Sequence, residues 1–369
     1  MESTDFFSGI ADPRVVGRTT HLLCDILLLS LCAVICGADD FEDIENYGKE
    51  KEAFLREFMS LPGGIPSHDT IDRVFRMICP KELSSCLSRH SKGILEYLGK
   101  YHVGIDGKVL RGTAVSGHKK SGLCIVSAWA SEQSLCLGQL RMDSKSSEKT
   151  AIPALLGELD LKQAIVSIDA IACTQSVAEM IIDKGGDYIL ALKGNQKNLY
   201  LEAQGEFERQ KPGLKPDIWE DFGSGRIERR TAFVLDELRF IDEASRWKGA
   251  KAVFVVEACR EFPDGKKQEQ TRFYISSLSL SPEEANKAVR SHWSIENSLH
   301  WQLDISFNED RSRIAKDNAP ENMACMRKIA LQLITPIKGK QSIKSCRKIA
   351  GWNNDFLLDI LKNTEIRCD

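Results

Sequence analysis

Three acidic residues stand where carboxylates could do chemistry together: Asp106, Asp169 and Glu296. Asp106 is expected to end a short β-branched strand in GIDGK, and Asp169 to end a nearly all-apolar strand in SIDA. Burying a carboxylate at such a place is costly unless something compensates its charge. Glu296 belongs to a later helical stretch, HWSIENSLHW. Because Mg²⁺ and Mn²⁺ prefer hard carboxylate oxygens, the three acids indicate a divalent-metal site.

A site of this kind suits phosphoryl transfer. Three carboxylates at one point repel one another strongly unless cations are present. Two divalent ions about 4 Å apart can activate an attacking oxygen and stabilise the leaving one. One isolated aspartate is most often a turn or cap residue, so a single match would mean little. Two independent strand ends with the same feature favour a built site.

The elements around the acids follow a definite order. Strands are predicted at 101–107, 122–130, 134–142, 164–170 and 187–192, with helices at 147–160, 174–184 and 282–300. The order strand-strand-strand-helix-strand-helix-strand is that of a ribonuclease-H-like core, an α/β fold. In that core the first and fourth strands are neighbours, so Asp106 and Asp169 would lie side by side. The late helix would then bring in Glu296.

Three parts are predicted along the chain. Residues 1–100 are expected to be helical, and residues 101–335 to form the α/β core with a β-rich insertion at about 198–280. Residues 336–369 are expected to form a basic helical tail, with five Lys or Arg and no acid between positions 336 and 350. Such a run is either a solvated face or a nucleic-acid contact.

One helix of the first part resembles the second half of a helix-turn-helix. Ser67 is predicted to cap it, and apolar residues recur on one face from Ile71 to Ile78. Arg73 and Arg76 lie on another face and are candidates for DNA contact. Ordinary packing would give the same pattern, and the net acidity of residues 1–100 argues against a strong phosphate-binding surface there.

Composition excludes several classes of protein. The 369 residues are 42% hydrophobic, which rules out disorder of the whole chain, and the net charge of −3 rules out a uniformly basic nucleic-acid coat. The 12 cysteines include no CxxC pair, which argues against a zinc ribbon or a thioredoxin-like site. The apolar run 22–36 is shorter than the ~20 residues that span a bilayer. Without a recognisable secretory signal, we expect reduced thiols and a cytoplasmic protein.

From about Asp12 to Leu333 the sequence resembles DDE-class insertion-sequence transposases, of the branch called H-repeat-associated proteins. The resemblance rests on separate motifs that occur in the family order: DPR (12–14), GADDFEDIENYG (37–48), GIPSHDTIDRVF (64–75), IDGKVLRG (105–112), SIDAIACTQ (167–175), GGDYILALKGNQ (185–196), HWSIENSLHWQLDISFNEDRSR (292–313) and APENMACMRKIAL (319–331). Any one of these could be chance, but eight in order are highly specific.

The resemblance implies a function for each part of the chain. The N-terminal helices would help to recognise transposon ends, and the ribonuclease-H-like core would be catalytic, with Asp106, Asp169 and Glu296 as its triad. Two Mg²⁺ ions, or Mn²⁺ in their place, would serve DNA cleavage and strand transfer. The partners would be double-stranded DNA, both terminal inverted repeats and target, and a second copy in a homodimer on DNA, associated with the nucleoid.

Further residues near the triad are candidates for holding DNA. Related transposases place Tyr, Arg and Lys around the glutamate, where this chain has Val289, His292 and Leu303. Other polar residues of this stretch would position phosphates instead: Arg290, His292, Asn297 and His300. In an uninterrupted α-helix, His292, Glu296 and His300 would share one face.

Two loops that follow predicted strands add to this set. Lys108 and Arg111 follow the first aspartate and are expected to project near the metal site. After the strand at 187–192, three polar residues could hold a DNA backbone or base edge: Lys193, Asn195 and Gln196. Surface charge and a plain polar turn are the alternatives. The acids that follow the late helix could be metal ligands or could pair with nearby arginines, and pairing is expected: Asp304, Glu309 and Asp310 with Arg311 and Arg313.

Three other functions stay open at this point. A nuclease or junction resolvase on the same core would cut DNA but not join it. A catalytically silent derivative of a transposase would bind DNA without either reaction, although the intact triad argues against that. A protein-interaction scaffold built on the acidic N-terminal helices would show no affinity for DNA at any salt concentration.

Overall fold

The computed structural model describes residues 6–15, 17, 19–95, 99–114, 122–142, 148–223 and 226–363. Residues 364–369 of the predicted tail lie outside this set. The α-helices are α1 Leu23–Cys36, α2 Phe41–Leu55, α3 His68–Met77, α4 Pro80–Leu95, α5 Glu148–Glu158, α6 Gln175–Asp183, α7 Lys197–Gln210, α8 Pro282–His292, α9 Trp301–Phe307, α10 Ala319–Ile334, α11 Ile343–Trp352 and α12 Asn354–Lys362. The strands are β1 Tyr101–Leu110, β2 Leu123–Ala130, β3 Leu135–Met142, β4 Ala164–Ile168, β5 Asp187–Leu192, β6 Asp217–Gly223, β7 Arg226–Leu235, β8 Ala252–Glu261 and β9 Lys267–Ser276.

The strands form one sheet in the order β3-β2-β1-β4-β5-β9-β8-β7-β6. Strand β1 pairs antiparallel with β2 and parallel with β4, and β4 pairs parallel with β5. These five strands have the order and directions of a ribonuclease-H-like core, so the predicted α/β fold class is confirmed. The β-rich region continues the same sheet, because β9 pairs antiparallel with β5. The prediction missed β6 and α7 in this region.

Helices cover both faces of the sheet. On one face, α5, α6 and α7 pack on inward-facing residues such as Val103 and Val255. On the other face, α8 packs on Phe254 and Tyr274. Side chains of adjacent strand residues point to opposite faces, which is why both faces of these near-continuous apolar strands are buried.

One apolar core joins the two ends of the chain. It contains the buried residues of α1 together with those of α10, α11 and α12, and it reaches the sheet at Trp129. Every residue of α1 from Asp25 to Ile35 is buried, and Asp25 accepts the backbone N–H of Leu61 at 2.8 Å. The buried core helix predicted here is therefore confirmed. Among the described residues, no helix is long and apolar enough to cross a bilayer.

The basic tail supplies part of this core rather than a wholly solvated face. Arg347 in α11 is buried and donates to the backbone carbonyls of Val34, Ala38 and Ser306. Its guanidinium lies 4.3 Å from the centre of the Phe307 ring. Its neighbour Lys348 is exposed. The guanidinium of Arg347 is therefore engaged inside the protein, which the charge pattern of the run did not indicate.

Helix α3, which the sequence predicts as a candidate for DNA contact, has the expected local structure. Ser67 caps α3 by accepting the backbone N–H of Thr70, and Ile71 is among the residues that the helix buries. Arg73 is exposed, whereas Arg76 is bound by Asp317 at 2.7 Å. Contact of either arginine with DNA remains a prediction.

A buried histidine makes stability depend on pH. His102 of β1 is 6% exposed, and among the described residues neither of its ring nitrogens has a hydrogen-bond partner. Burial lowers its pKa from about 6.5 to about 3. The folded state favours the neutral ring. The contribution of His102 to the free energy of unfolding is therefore complete above pH 6.5 and is lost as the pH falls towards 3.

We expect His102→Leu to flatten the acid side of the stability curve. Each pH unit between about 6.5 and 3 costs the wild type up to about 1.4 kcal/mol through this group. Urea unfolding at pH 7 and pH 5 should therefore show about 2 kcal/mol less acid destabilisation in the variant. Equal losses in both proteins would contradict the assignment.

Candidate active site

The two aspartates lie side by side at the end of the β1–β4 pairing. The parallel register runs to Ile105 opposite Ile168, and Asp106 and Asp169 are the next residues of their segments. Asp169 follows the last residue of β4, as predicted. Asp106 does not end its strand, because β1 continues to Leu110 in its antiparallel pairing with β2. The neighbouring placement depends on the end of the β4 ladder and is unaffected by this difference.

The surroundings of Asp169 keep it ionised. Burial alone would raise its pKa, but the backbone N–H of Ala170 and the ammonium of Lys193 outweigh burial and lower it. The Lys193 Nζ lies 3.4 Å from Asp169 Oδ1, and both side chains are about half exposed. Asp169 is therefore a charged and accessible carboxylate.

The amides that follow β5 hold the turn after Asp169. Asn195 Nδ2 donates to the carbonyls of Ala170, at 2.6 Å, and Cys173, at 3.2 Å. Gln196 Nε2 also donates to the carbonyl of Cys173, at 2.9 Å. Both amide groups thus have partners within the protein, whereas the prediction gave them to DNA. They fix the backbone that carries the second aspartate.

The late helix is interrupted at the third acid. Helix α8 ends at His292, a π-helical turn runs over Ile295–His300, and α9 begins at Trp301. We call this segment the Glu296 turn. A π turn closes hydrogen bonds over five residues instead of four. The predicted single α-helix, with His292, Glu296 and His300 on one face, is therefore wrong. The side chain of Glu296 is exposed.

The Glu296 turn is attached to the strands of both aspartates. Before it, His292 Nδ1 lies 2.9 Å from the hydroxyl of Ser167, two residues ahead of Asp169. At its end, His300 Nδ1 lies 3.6 Å from Asp106 Oδ2. Within the turn, the Ser298 hydroxyl accepts a hydrogen bond of 2.9 Å from the indole N–H of Trp129, a buried residue of β2.

His292, which precedes the turn, and His300, which ends it, are both neutral at physiological pH. Burial lowers the pKa of His292 and of His300 to about 4. Neither ring therefore offers a positive charge to phosphate near pH 7, although the sequence placed both among the phosphate-positioning residues. Their imidazole rings serve instead as attachments to β4 and β1.

The donor chemistry of the aspartate pair fits a hard divalent cation. The side chains of Asp106 and Asp169 are 28% and 48% exposed, so solvent and ions reach both. Among the residues that the structure describes, no three His, Cys, Asp or Glu side chains are grouped to hold one metal ion. The arrangement thus provides two adjacent carboxylates and places the third acid on the attached turn.

Lys108 and its acidic partners form an internal cluster. The Lys108 side chain is 11% exposed, and its ammonium binds Asp304 Oδ1 and, at 2.8 Å, Glu309 Oε2. The predicted pairing of these acids with Arg311 and Arg313 is therefore wrong for Asp304 and Glu309. Their actual partner lies nearly two hundred residues earlier, where spacing gives no signal.

Arg111 keeps the exposed position expected of a DNA contact. Its side chain is 84% exposed, with Asp310 Oδ2 at 3.6 Å from its Nε. Asn297 on the Glu296 turn is also exposed. Arg290 is exposed and stacks on Trp219 of β6, with its guanidinium carbon 3.5 Å from the ring centre. These three residues remain candidates for holding DNA.

The strands of the β-rich region add a basic residue that the sequence did not single out. A cavity of about 380 Å³ opens beside Asp169, and Lys193, Arg272 and Trp293 are among its lining residues. The Arg272 guanidinium stacks 4.5 Å above the Trp293 ring centre. Arg272 reaches this place only because β9 pairs with β5. No local pattern could have revealed that.

Comparisons with known proteins agree on one family. Residues 97–333 match the family described as Transposase DDE domain, and residues 4–91 match the family described as DDE_Tnp_1-associated. The chain is 37% identical to "Putative transposase YncI" of Escherichia coli O157:H7, over 97% of this chain and 93% of that protein. It is 36% identical to "H repeat-associated putative transposase YhhI" of Escherichia coli K12, over 97% of each chain.

A solved structure of another transposase shows weaker similarity. The cryo-EM structure of the piggyBac transposase synaptic complex with hairpin DNA aligns with a TM-score of 0.42 and 10% sequence identity. The alignment covers 97% of this chain and 78% of that one. At this level of similarity, the family assignment rests on the sequence matches alone.

Proposed function

Because the chain belongs to the transposase DDE-domain family, we propose that it cleaves DNA at transposon ends and joins the freed end to target DNA. The observation that carries this proposal is the register of β1 and β4, which makes Asp106 and Asp169 neighbours. The attachment of the Glu296 turn to both strands supports Glu296 as the third acid.

Divalent metal is a general requirement of DDE transposases. In this chain Asp106 and Asp169 would hold it, with Glu296 contributing from the attached turn. Mg²⁺ is the expected ion, and two such ions, or Mn²⁺ in their place, would suit the carboxylate set. When bound, they supply Lewis-acid activation of the attacking and leaving oxygens.

The other residues of the site position these acids and the DNA. Asn195 and Gln196 hold the turn behind Asp169, and the Ala170 N–H together with Lys193 lowers the pKa of that carboxylate. Exposed Arg111 and Lys193 would bind the phosphates that flank the cleaved bond. Each phosphate contact of this kind adds to affinity and to its salt dependence.

The proposed partners are double-stranded DNA and a second copy of the chain. The terminal inverted repeats would be bound first, with Arg73 in α3 as one candidate contact, and target DNA would follow. Two transposon ends would be held by a homodimer, so that both are cut in one assembly. The protein would act on the nucleoid in the cytoplasm.

The test is a cleavage and strand-transfer assay on donor DNA that carries the flanking inverted repeats. We expect cut and joined products with Mg²⁺ or Mn²⁺ and none with EDTA. Metal-dependent cutting without joining would identify a nuclease. Binding of the ends without either reaction would identify a catalytically silent derivative.

Glu296→Gln tests the third acid in the same assay. We expect the cleavage rate to fall about 100-fold or more, since a neutral amide loses a charged ligand that is worth several kcal/mol. Affinity for the ends should be kept. Glu283→Gln, in the exposed first turn of α8, is the matched control and should cut normally. Normal cutting by Glu296→Gln would remove Glu296 from the site.

A further inference from the structure

We propose that Lys108 is a positioning residue that fixes the Glu296 turn against β1, and that it is not a contact for DNA. The inference deepens the proposed function and rests on it, because it concerns how the third acid of that reaction is held. Three observations carry it: the way the late helical segment follows β1, the burial of Lys108 and Glu309, and the partners of the Lys108 ammonium.

The late helical segment follows one face of β1 residue by residue. Alternate strand residues share a face, so Gly104, Asp106 and Lys108 point the same way. A Cβ added at Gly104 would lie 3.6 Å from Ile295 Cβ, at the start of the Glu296 turn. The next two positions meet side chains further along the segment: Asp106 meets His300, and Lys108 meets Asp304.

The π-helical turn makes this alignment possible. Two strand residues span roughly 6.6 Å and four α-helical residues roughly 6 Å, so a helix can keep step with a strand over one such interval. His300 and Asp304 are four residues apart and fit this interval. Ile295 and His300 are five apart, and the wider turn takes up the extra residue. The contact of Lys108 with Asp304 then locks the register in which Glu296 stands.

Burial keeps the Lys108 ammonium from reaching phosphate. Lys108 is 11% exposed and Glu309 is 1% exposed. The ammonium binds Asp304 and Glu309, and the carbonyl of His300 lies 3.5 Å away. A phosphate would have to displace both carboxylates and leave Glu309 buried without this cation. Arg111, three residues along, has the exposure that a DNA contact needs.

The experiment separates positioning from DNA contact with two measurements on one protein. End affinity is measured over a range of salt concentrations, and the single-turnover cleavage rate is measured at saturating DNA. Lys108→Met alone removes the salt-bridge partner of the buried Glu309 carboxylate and could unfold the protein. The double variant Lys108→Met with Glu309→Gln removes both charges and avoids that problem, and its thermal unfolding is checked first.

We expect the double variant to bind ends with wild-type affinity and salt slope but to cut about 100-fold more slowly. A displacement of about 1 Å at a reacting centre is enough for such a loss. Lys108→Arg, which keeps a cation between the two acids, should recover part of the rate. A merely structural role would lower the unfolding temperature and leave the rate of the folded protein unchanged.

Two outcomes would overturn the inference while the wild type cuts normally. One is a loss of affinity with a log–log salt slope that is lower by about 1, the signature of a lost phosphate contact. The other is an unchanged cleavage rate. Lys266→Met, in an exposed loop, is the matched control and should change neither measurement. If the wild type itself fails to cut, the proposed function fails, and this inference fails with it.

Discussion

Asp106→Asn is expected to abolish cleavage and joining while leaving the binding of transposon ends intact. The β1–β4 register places Asp106 beside Asp169. A neutral amide at position 106 removes a negative charge from the pair that would hold the metal. A loss of several kcal/mol of charge stabilisation corresponds to about 10³-fold or more in rate. The measurement is product formation on supercoiled donor DNA, alongside an end-binding assay.

The control for this substitution is an aspartate outside the site. Asp264 lies in the exposed β8–β9 loop, where it pairs with Lys266. Asp264→Asn should cut and join at the wild-type rate. If Asp106→Asn still cuts at the transposon ends, the assignment of Asp106 is wrong and another carboxylate must take its place.

Arg347→Met is expected to cause a large loss of stability. Its guanidinium donates hydrogen bonds to the backbone carbonyls of Val34, Ala38 and Ser306 inside the core that joins both ends of the chain. Removing the donor leaves several buried acceptors without it, at about 1–3 kcal/mol for each group that stays unsatisfied. We expect a total loss of about 3–5 kcal/mol in the free energy of unfolding, measured by urea titration.

The neighbouring residue shows whether the effect comes from burial or from charge. Lys348→Met removes the same charge from an exposed position of the same helix and should change stability by less than about 0.5 kcal/mol. Similar losses in the two variants would mean that Arg347 contributes through the charge of the tail rather than through its buried hydrogen bonds.

Local patterns were sufficient to predict α1, α3 and the five strands of the α/β core, and with them the neighbouring aspartates. The apolar run that ends before Gly37 predicted a buried helix. Ser67, followed by apolar residues that recur with the helical period, predicted the start of α3. The order of strands and helices placed β1 beside β4 and therefore Asp106 beside Asp169. Each of these inferences depends on residues close together in the sequence, or on the few topologies that a given order of elements allows.

Contacts between distant residues could not be predicted in this way. Nothing near Lys108 indicates that Asp304 and Glu309 will enclose it, so a buried cation was read as a surface one. The π-helical turn depends on how the late helix meets β1 and leaves no sign in its own spacing. Arg347 looked like part of a solvated basic run, because only the packing of α11 on α1 buries it. The assignment of Asp106, Asp169 and Glu296 to a catalytic triad remains a prediction.

The core shared by α1 and α10–α12 has a consequence for synthesis of the protein. Helix α1 is synthesised long before α10–α12, which are among the helices that pack against it. Synthesis proceeds at roughly 5–20 residues per second, so the apolar surface of α1 stays without α10–α12 for on the order of tens of seconds. A nascent chain in this state resembles a client of a chaperone more than a folded domain. Premature termination within α10 would leave that surface uncovered for good, so truncated copies should be degraded or aggregate.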